Sequence, residues 1–232
     1  MEEQILDYAL VPSGLVLLVG YHIWLLHRIR YQPMKTAVGI NVFSRRLWAE
    51  SLMEEMPING VLAVQTLRNN IMAGTLLATT AMTLNSIIVL MIANFSSKPL
   101  VIVFGNKSEL SLWIKIFSVM FCFLLAFLFT VQSVRYYSHA GILIQVPVKK
   151  CKQVGVYVVK ALTKGSYFWA MGLRALYFSF PLFMWFFGPI PMFMCCLFLV
   201  FTLYFLDTLD GGTATGDVPQ NGDMEQYWSY VI

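Results

Sequence analysis

Long apolar runs alternate along the chain with polar, mostly basic segments. Leu6–Leu26, Ile71–Ala93 and Leu112–Val131 each offer about 20 apolar residues, enough for a helix rising 1.5 Å per residue to cross a bilayer core of about 30 Å. A further stretch, Tyr167–Leu206, is too long for one span. Its one charge is Arg174, and Pro181, Gly188, Pro189 and Pro191 interrupt it. Two readings compete here: a membrane-hugging helix to about Phe180 followed by a span kinked at Gly188, Pro189 and Pro191, or a tight hairpin of two spans. The Gly-Pro-Ile-Pro turn of a hairpin has almost no polar residue to solvate it, which favours four spans. The pattern thus predicts an all-α integral membrane four-helix protomer. Its spans fall at about 6–26, 71–93, 112–131 and 182–206, within one membrane domain over 1–210, with linkers at 27–70 and 132–181 and a polar tail over 211–232.

The linkers read as amphipathic helices. Ser44–Met56 sets Leu47, Trp48, Met53 and Met56 against Arg45, Arg46, Glu50, Glu54 and Glu55, and Pro57 ends it. Asn59 can cap the next helix, which then continues to Phe95, so the second span extends two to three turns beyond the membrane. Lys149–Lys164 sets Val154, Val158, Ala161 and Leu162 against five lysines, a pattern suited to anionic headgroups.

Composition agrees with this picture. Of 232 residues, 58% are hydrophobic and 12% charged, against about 25% charged in a soluble domain, and the mean hydropathy is +0.68. A water-soluble globule and wholesale disorder are both excluded. Thirteen of the 16 Lys and Arg fall in the two long linkers. The positive-inside rule makes those linkers cytosolic, and an even number of spans then puts both termini in a lumen or outside. The net charge of +4 sums a basic face and an acidic one, so nucleic acid is not an implied partner. The start Met-Glu-Glu lacks the cationic region of a cleavable signal, so the first span reads as a retained anchor. Cys122, Cys195 and Cys196 lie in spans and Cys151 in a linker, which leaves no lumenal disulfide framework. Asn94 and Asn106 match the glycosylation pattern but hug the membrane.

Catalytic signals are poor. His22, His27 and His139 are scattered, and neither a zinc motif nor a phosphate loop is present, so no enzyme, cofactor or resident metal is expected. The second span says more. At 100° per residue Arg68, Thr75, Thr79, Thr83 and Ser86 share an arc of about 80°, and Gly74, Ala78, Ala81 and Asn85 share another of about 60°. The second stripe is a small-xxx-small packing pattern. The first either bonds back to its own helix or lines water between copies. In the latter case Asp7, Asp207 and Asp210, at the outer ends of their spans, would form a cation-attracting mouth.

Three blocks carry a resemblance: Ala63-Val-Gln-Thr-Leu-Arg68-Asn-Asn-Ile-Met72, Val131-Gln-Ser-Val-Arg135-Tyr-Tyr-Ser-His139, and Tyr177-Phe-Ser-Phe-Pro181 with Gly188-Pro-Ile-Pro191. Together they resemble a plant group of small membrane proteins known only by a domain of unknown function. The resemblance implies a ring-like, pentameric, calcium-permeable cation channel of the endoplasmic reticulum membrane that triggers defence signalling. Its partners would be other copies of the chain, membrane lipid, and calcium and other permeant cations. The rival reading is a non-conducting adaptor or scaffold whose basic linkers bind partners or anionic lipid.

Overall fold

The computed structural model describes residues 2–54, 56–95, 109–146 and 152–208 and is all-α. Helix α1 (Glu2–Tyr31) leads through a 3-10 turn (Pro33–Lys35) into α2 (Ala37–Glu54). Next come α3 (Met56–Phe95), α4 (Glu109–Leu143) and α5 (Lys152–Met184), then a second 3-10 turn (Trp185–Phe187) and α6 (Pro189–Asp207). Thr36 begins α2 as a side-chain cap, its hydroxyl oxygen accepting the Gly39 N–H at 3.2 Å. Position 39 must be glycine, because a Cβ there would stand 2.1 Å from the Pro33 carbonyl oxygen.

Among the described residues five helices, not four, are long and apolar enough to cross a membrane: Asp7–Tyr31, Gly60–Leu90, Glu109–Leu143, Gln153–Phe187 and Pro189–Asp207. The difference arises at Gly188, where the chain reverses. Gly188 adopts φ 129°, a conformation open almost only to glycine, and Pro189 starts α6 directly after it. Arg174 on α5 then meets Asp207 on α6, which makes the two helices an antiparallel pair. Gly188, Pro189 and Pro191 therefore form a hairpin turn rather than a kink. Backbone bonds close the turn. The Gly188 and Met192 N–H groups bond to Trp185 and Gly188 carbonyls at 3.2 and 3.4 Å, and the two prolines remove donors that would otherwise need a partner.

The helices α3, α4 and α5 form one packed layer. Gly165 lies on the Tyr137 ring and Gly172 on Thr130, and the Ser133 hydroxyl crosses from α4 to the Gly165 carbonyl at 2.7 Å. These helices run to about 60, 52 and 50 Å at 1.5 Å per residue, well beyond a bilayer core. At one end their extra turns bury Ala63, Leu67, Tyr137, Ala140, Ile144, Val158, Ala161 and Leu162 with Ala49, Leu52 and Met53 of α2. Of the lysine-rich stretch at 149–164, the residues from 152 on are described, and their apolar face packs on protein, with Val154 at its edge, rather than lying on headgroups. Helices α1 and α6 run parallel beside α5, with Gly14 on Cys196 and Trp24 stacked on Tyr204.

Candidate functional site

A cluster of buried and half-buried polar side chains lies where α1, α5 and α6 meet. Helix α6 has 19 residues and spans about 28 Å, close to one core thickness, so Asp207 lies at the basic end of the bundle and the Gly188 turn at the other. Asp207 is 7% exposed. One Arg174 N–H donates to its Oδ1 at 2.7 Å and the Tyr21 hydroxyl donates to its Oδ2 at 2.7 Å. A second Arg174 N–H points to His22 Nε2 at 3.4 Å, while His22 Nδ1 donates to the Leu18 carbonyl at 2.8 Å. The Leu18 carbonyl can only accept, so Nδ1 carries a proton in that contact. Phe178 packs on the imidazole, and Arg28 lies 5.2 Å above the Trp24 ring. Trp24, Tyr21 and Tyr204 form an aromatic belt of the kind found at headgroup level.

Two cavities flank Arg174. The larger, about 810 Å³, opens between α1 and α5 and has a mainly apolar wall that includes Val19, Ile23, Leu26, Met171 and Phe178. Among the described residues that line it, the charged ones are Arg30 and Arg174, both cationic, joined by His22 and His27. The smaller, about 230 Å³, lies between α2, α5 and α6, and Asn41, Arg45, Ser166, Tyr177, Arg174 and Asp207 supply its polar wall.

The residues predicted for a pore do not converge on one place. Asp7, 8% exposed, accepts the Trp185 indole N–H at 3.3 Å at the far end of α1. Lys115 lies over the same indole ring. Fourteen residues of α1, or about 21 Å, separate Asp7 from the Tyr21 that binds Asp207. The two acids thus stand at opposite ends, each buried and engaged, and cannot make one mouth. Asp210, the 211–232 tail, the Asn94 side chain and Asn106 lie outside the described residues. Gly74, Ala78 and Ala81 form a packing stripe, but inside one chain: a Cβ on Gly74 would stand 2.6 Å from Val134 Cγ2 of α4. The hydroxyls of Thr75, Thr79, Thr83 and Ser86 face outward from α3, and each donates to a carbonyl of its own helix at 2.8–2.9 Å. Arg68 is likewise exposed on α3.

The sequence reading missed Tyr21, His22 and Arg174 as site residues. The available signal was a lone Arg in one apolar stretch and a lone Asp at its end. At lipid depth such charges need one another. Among the described residues no group of three or more His, Cys, Asp or Glu could hold a metal ion.

Five apolar, membrane-length helices among the described residues, in an all-helical bundle with a buried polar cluster near one end, are compatible with an integral membrane protein. The chain belongs to the family described as protein of unknown function, DUF599, whose model matches residues 9–210. No curated protein and no solved structure matches it.

Proposed function

We propose that the protein binds an anionic lipid in the cleft between α1 and α5, as the ligand-holding part of a non-enzymatic membrane adaptor. One observation carries this: an apolar cleft of about 810 Å³ whose charged lining residues, Arg30 and Arg174, are cationic. Clefts of roughly 300–1,000 Å³ with a few convergent polar groups are the usual form of a ligand site. Basic pockets between membrane helices on the cytoplasmic side suit phospholipid headgroups. The concentration of Arg28, Arg30, Lys35, Arg45 and Arg46 at this end orients it to the cytosol by the positive-inside rule. The phosphate then sits between the guanidinium groups, which offer paired donors, and an acyl chain follows Val19, Ile23 and Phe178 toward the core. Native mass spectrometry of protein extracted from mixed vesicles tests this. Wild type should retain anionic lipid over phosphatidylcholine, and Arg30→Gln should weaken retention on the order of tenfold, the loss of one charged hydrogen bond. Equal retention of both lipids overturns the proposal.

A second reading is the homo-oligomeric cation channel. It is favoured by the outward hydroxyl face of α3, which stands away from the Gly74–Ala81 stripe already packed on α4. Copies meeting along Thr75, Thr79, Thr83 and Ser86 would enclose a neutral, hydroxyl-lined path. Pentameric assembly, calcium permeation, an endoplasmic reticulum location and a defence role come to this reading from the resemblance to the plant group that includes the WeiTsing channel. Asp7 and Asp207, both buried, play no part in it. Planar-bilayer recordings decide it: single-channel currents altered by Thr79→Val support conduction, and silent bilayers with inserted protein refute it.

A further inference from the structure

We propose that the small cavity beyond Arg174 selects the headgroup of the bound lipid, taking a phosphate esterified to an uncharged polyol, of the glycerol or inositol class. This rests on the reading of the α1–α5 cleft as an anionic-lipid site. The two cavities share Val38, Tyr167, Ala170 and Arg174 as lining, so a lipid whose phosphate meets Arg174 in the large cleft can extend its headgroup into the small one. At about 230 Å³, the small cavity equals on the order of seven water volumes, room for a polyol and not for an acyl chain.

The chemistry of its wall sets the preference. Arg45 and Arg174 can only donate and ionised Asp207 can only accept, whereas Asn41, Ser166 and Tyr177 can do both. Each Asp207 oxygen already receives one donor, Oδ1 from Arg174 and Oδ2 from Tyr21, and a carboxylate has about four acceptor positions, so acceptor capacity remains for a hydroxyl. In a serine headgroup the carboxylate that meets Arg174 also comes near Asp207, and the ammonium that meets Asp207 also comes near Arg174, whose guanidinium lies 2.7 Å from it. Hydroxyl groups, which donate and accept, suit both sides. Phosphatidylserine is therefore disfavoured against phosphatidylglycerol although both lipids carry one net negative charge.

Competition among lipids tests this by native mass spectrometry of the full chain, loaded from vesicles containing phosphatidylglycerol, phosphatidylinositol, phosphatidylserine and phosphatidylcholine. Wild type should retain the two polyol lipids roughly tenfold over phosphatidylserine, the scale of one well-made polar contact. Asn41→Leu, which narrows the small cavity from an exposed position on α2, should erase that preference while anionic lipid stays bound. Asp207→Asn should raise phosphatidylserine retention toward that of phosphatidylglycerol. Equal retention of all three anionic lipids by wild type overturns the headgroup assignment and leaves the cleft intact. Retention of phosphatidylcholine equal to the anionic lipids overturns the cleft reading itself. A preference that survives Asn41→Leu moves the selecting groups elsewhere and overturns the assignment to this cavity.

Discussion

The Arg174–Asp207 bridge makes a quantitative prediction about how this membrane domain holds together. Its side chains are 19% and 9% exposed, with the nearest atoms 2.7 Å apart. Asp207→Leu strips Arg174 of its counter-ion and leaves it only the contact with His22 at 3.4 Å. Arg174→Met strips Asp207 and leaves it only the Tyr21 hydroxyl. Removing one partner of a buried pair costs about 3–5 kcal/mol, because the other charge remains uncompensated, whereas replacing both by apolar groups is close to neutral or stabilising. For a chain of this size each kcal/mol moves the melting temperature by about 2–4 °C. Each single variant should therefore melt about 6–20 °C lower, and the double variant should recover most of that loss. Thermal unfolding of the four proteins in one detergent, read by tryptophan fluorescence, completes the cycle. Losses that simply add in the double variant would refute the reasoning, because they would mean that the two charges do not meet in the membrane.

Other consequences are more local. Tyr21→Phe removes a hydrogen bond to a charged acceptor and should cost about 1.5–3 kcal/mol, seen as a lower melting temperature that is largely absent in the Asp207→Leu background. Gly188→Ala places a Cβ on a residue at φ 129°, a strain of about 1–3 kcal/mol; it should lower stability, and an unchanged melting curve would contradict the hairpin. Gly74→Ala drives a Cβ to 2.6 Å from the stiff Val134 side chain, an overpacking cost of about 1–3 kcal/mol, and it should loosen α3 from α4 in hydrogen exchange. Were all five candidate helices to cross the membrane, the C-terminus would fall on the side of the basic linkers, opposite the start of α1. A cysteine tag fused at the C-terminus should then be labelled from the same side as one in the 147–151 connection, and labelling from opposite sides would restore an even count.

Much of the architecture was legible because membrane-length apolar runs depend on local composition alone. α1, the membrane portion of α3 and the first two-thirds of α4 follow from run length, and the amphipathic face of the first turns of α5 follows from periodicity, whereas of the face expected on α2 Trp48 and Met53 pack inward and Leu47 is exposed. What covers those faces did not follow, because Val158 and Leu162 look the same facing headgroups or facing Ala140 and Leu67. The hairpin was misread for a specific reason. Its turn lacks polar side chains, but backbone bonds and two prolines reduce the groups that would need water, and the Trp185 indole beside it donates to Asp7 at 3.3 Å. The α3 stripes were legible as faces: the small residues pack on a helix, here α4 of the same chain, and the outward hydroxyls bond to their own backbone, one of the two alternatives the sequence left open. The candidate site was the least legible part, since Tyr21 and Asp207 stand 186 residues apart and only the α1–α6 pairing joins them.

The fifth span also changes what the charges mean. With four spans Asp207 would stand on the acidic face, free to attract cations, and Arg174 would be one more positive charge in a cytosolic linker. With α5 and α6 folded back on each other, the same two residues meet near the basic end and cancel in a place where neither could remain alone. Their neutralisation leaves Arg30 on one side and Arg45 on the other as the cations without an opposite charge among the residues lining the two cavities. That surplus follows from chain reversal rather than from composition, and it gives the cleft a reason to take an anion: a phosphate there adds the opposite charge without displacing Asp207 from Arg174. Exchange of Asp207 for the ligand is thus unnecessary for binding, so lipid should raise the melting temperature of wild type and of the Arg174→Met/Asp207→Leu pair alike, with the larger rise in wild type. A rise in the double variant equal to that of wild type would assign the phosphate to Arg30 without Arg174.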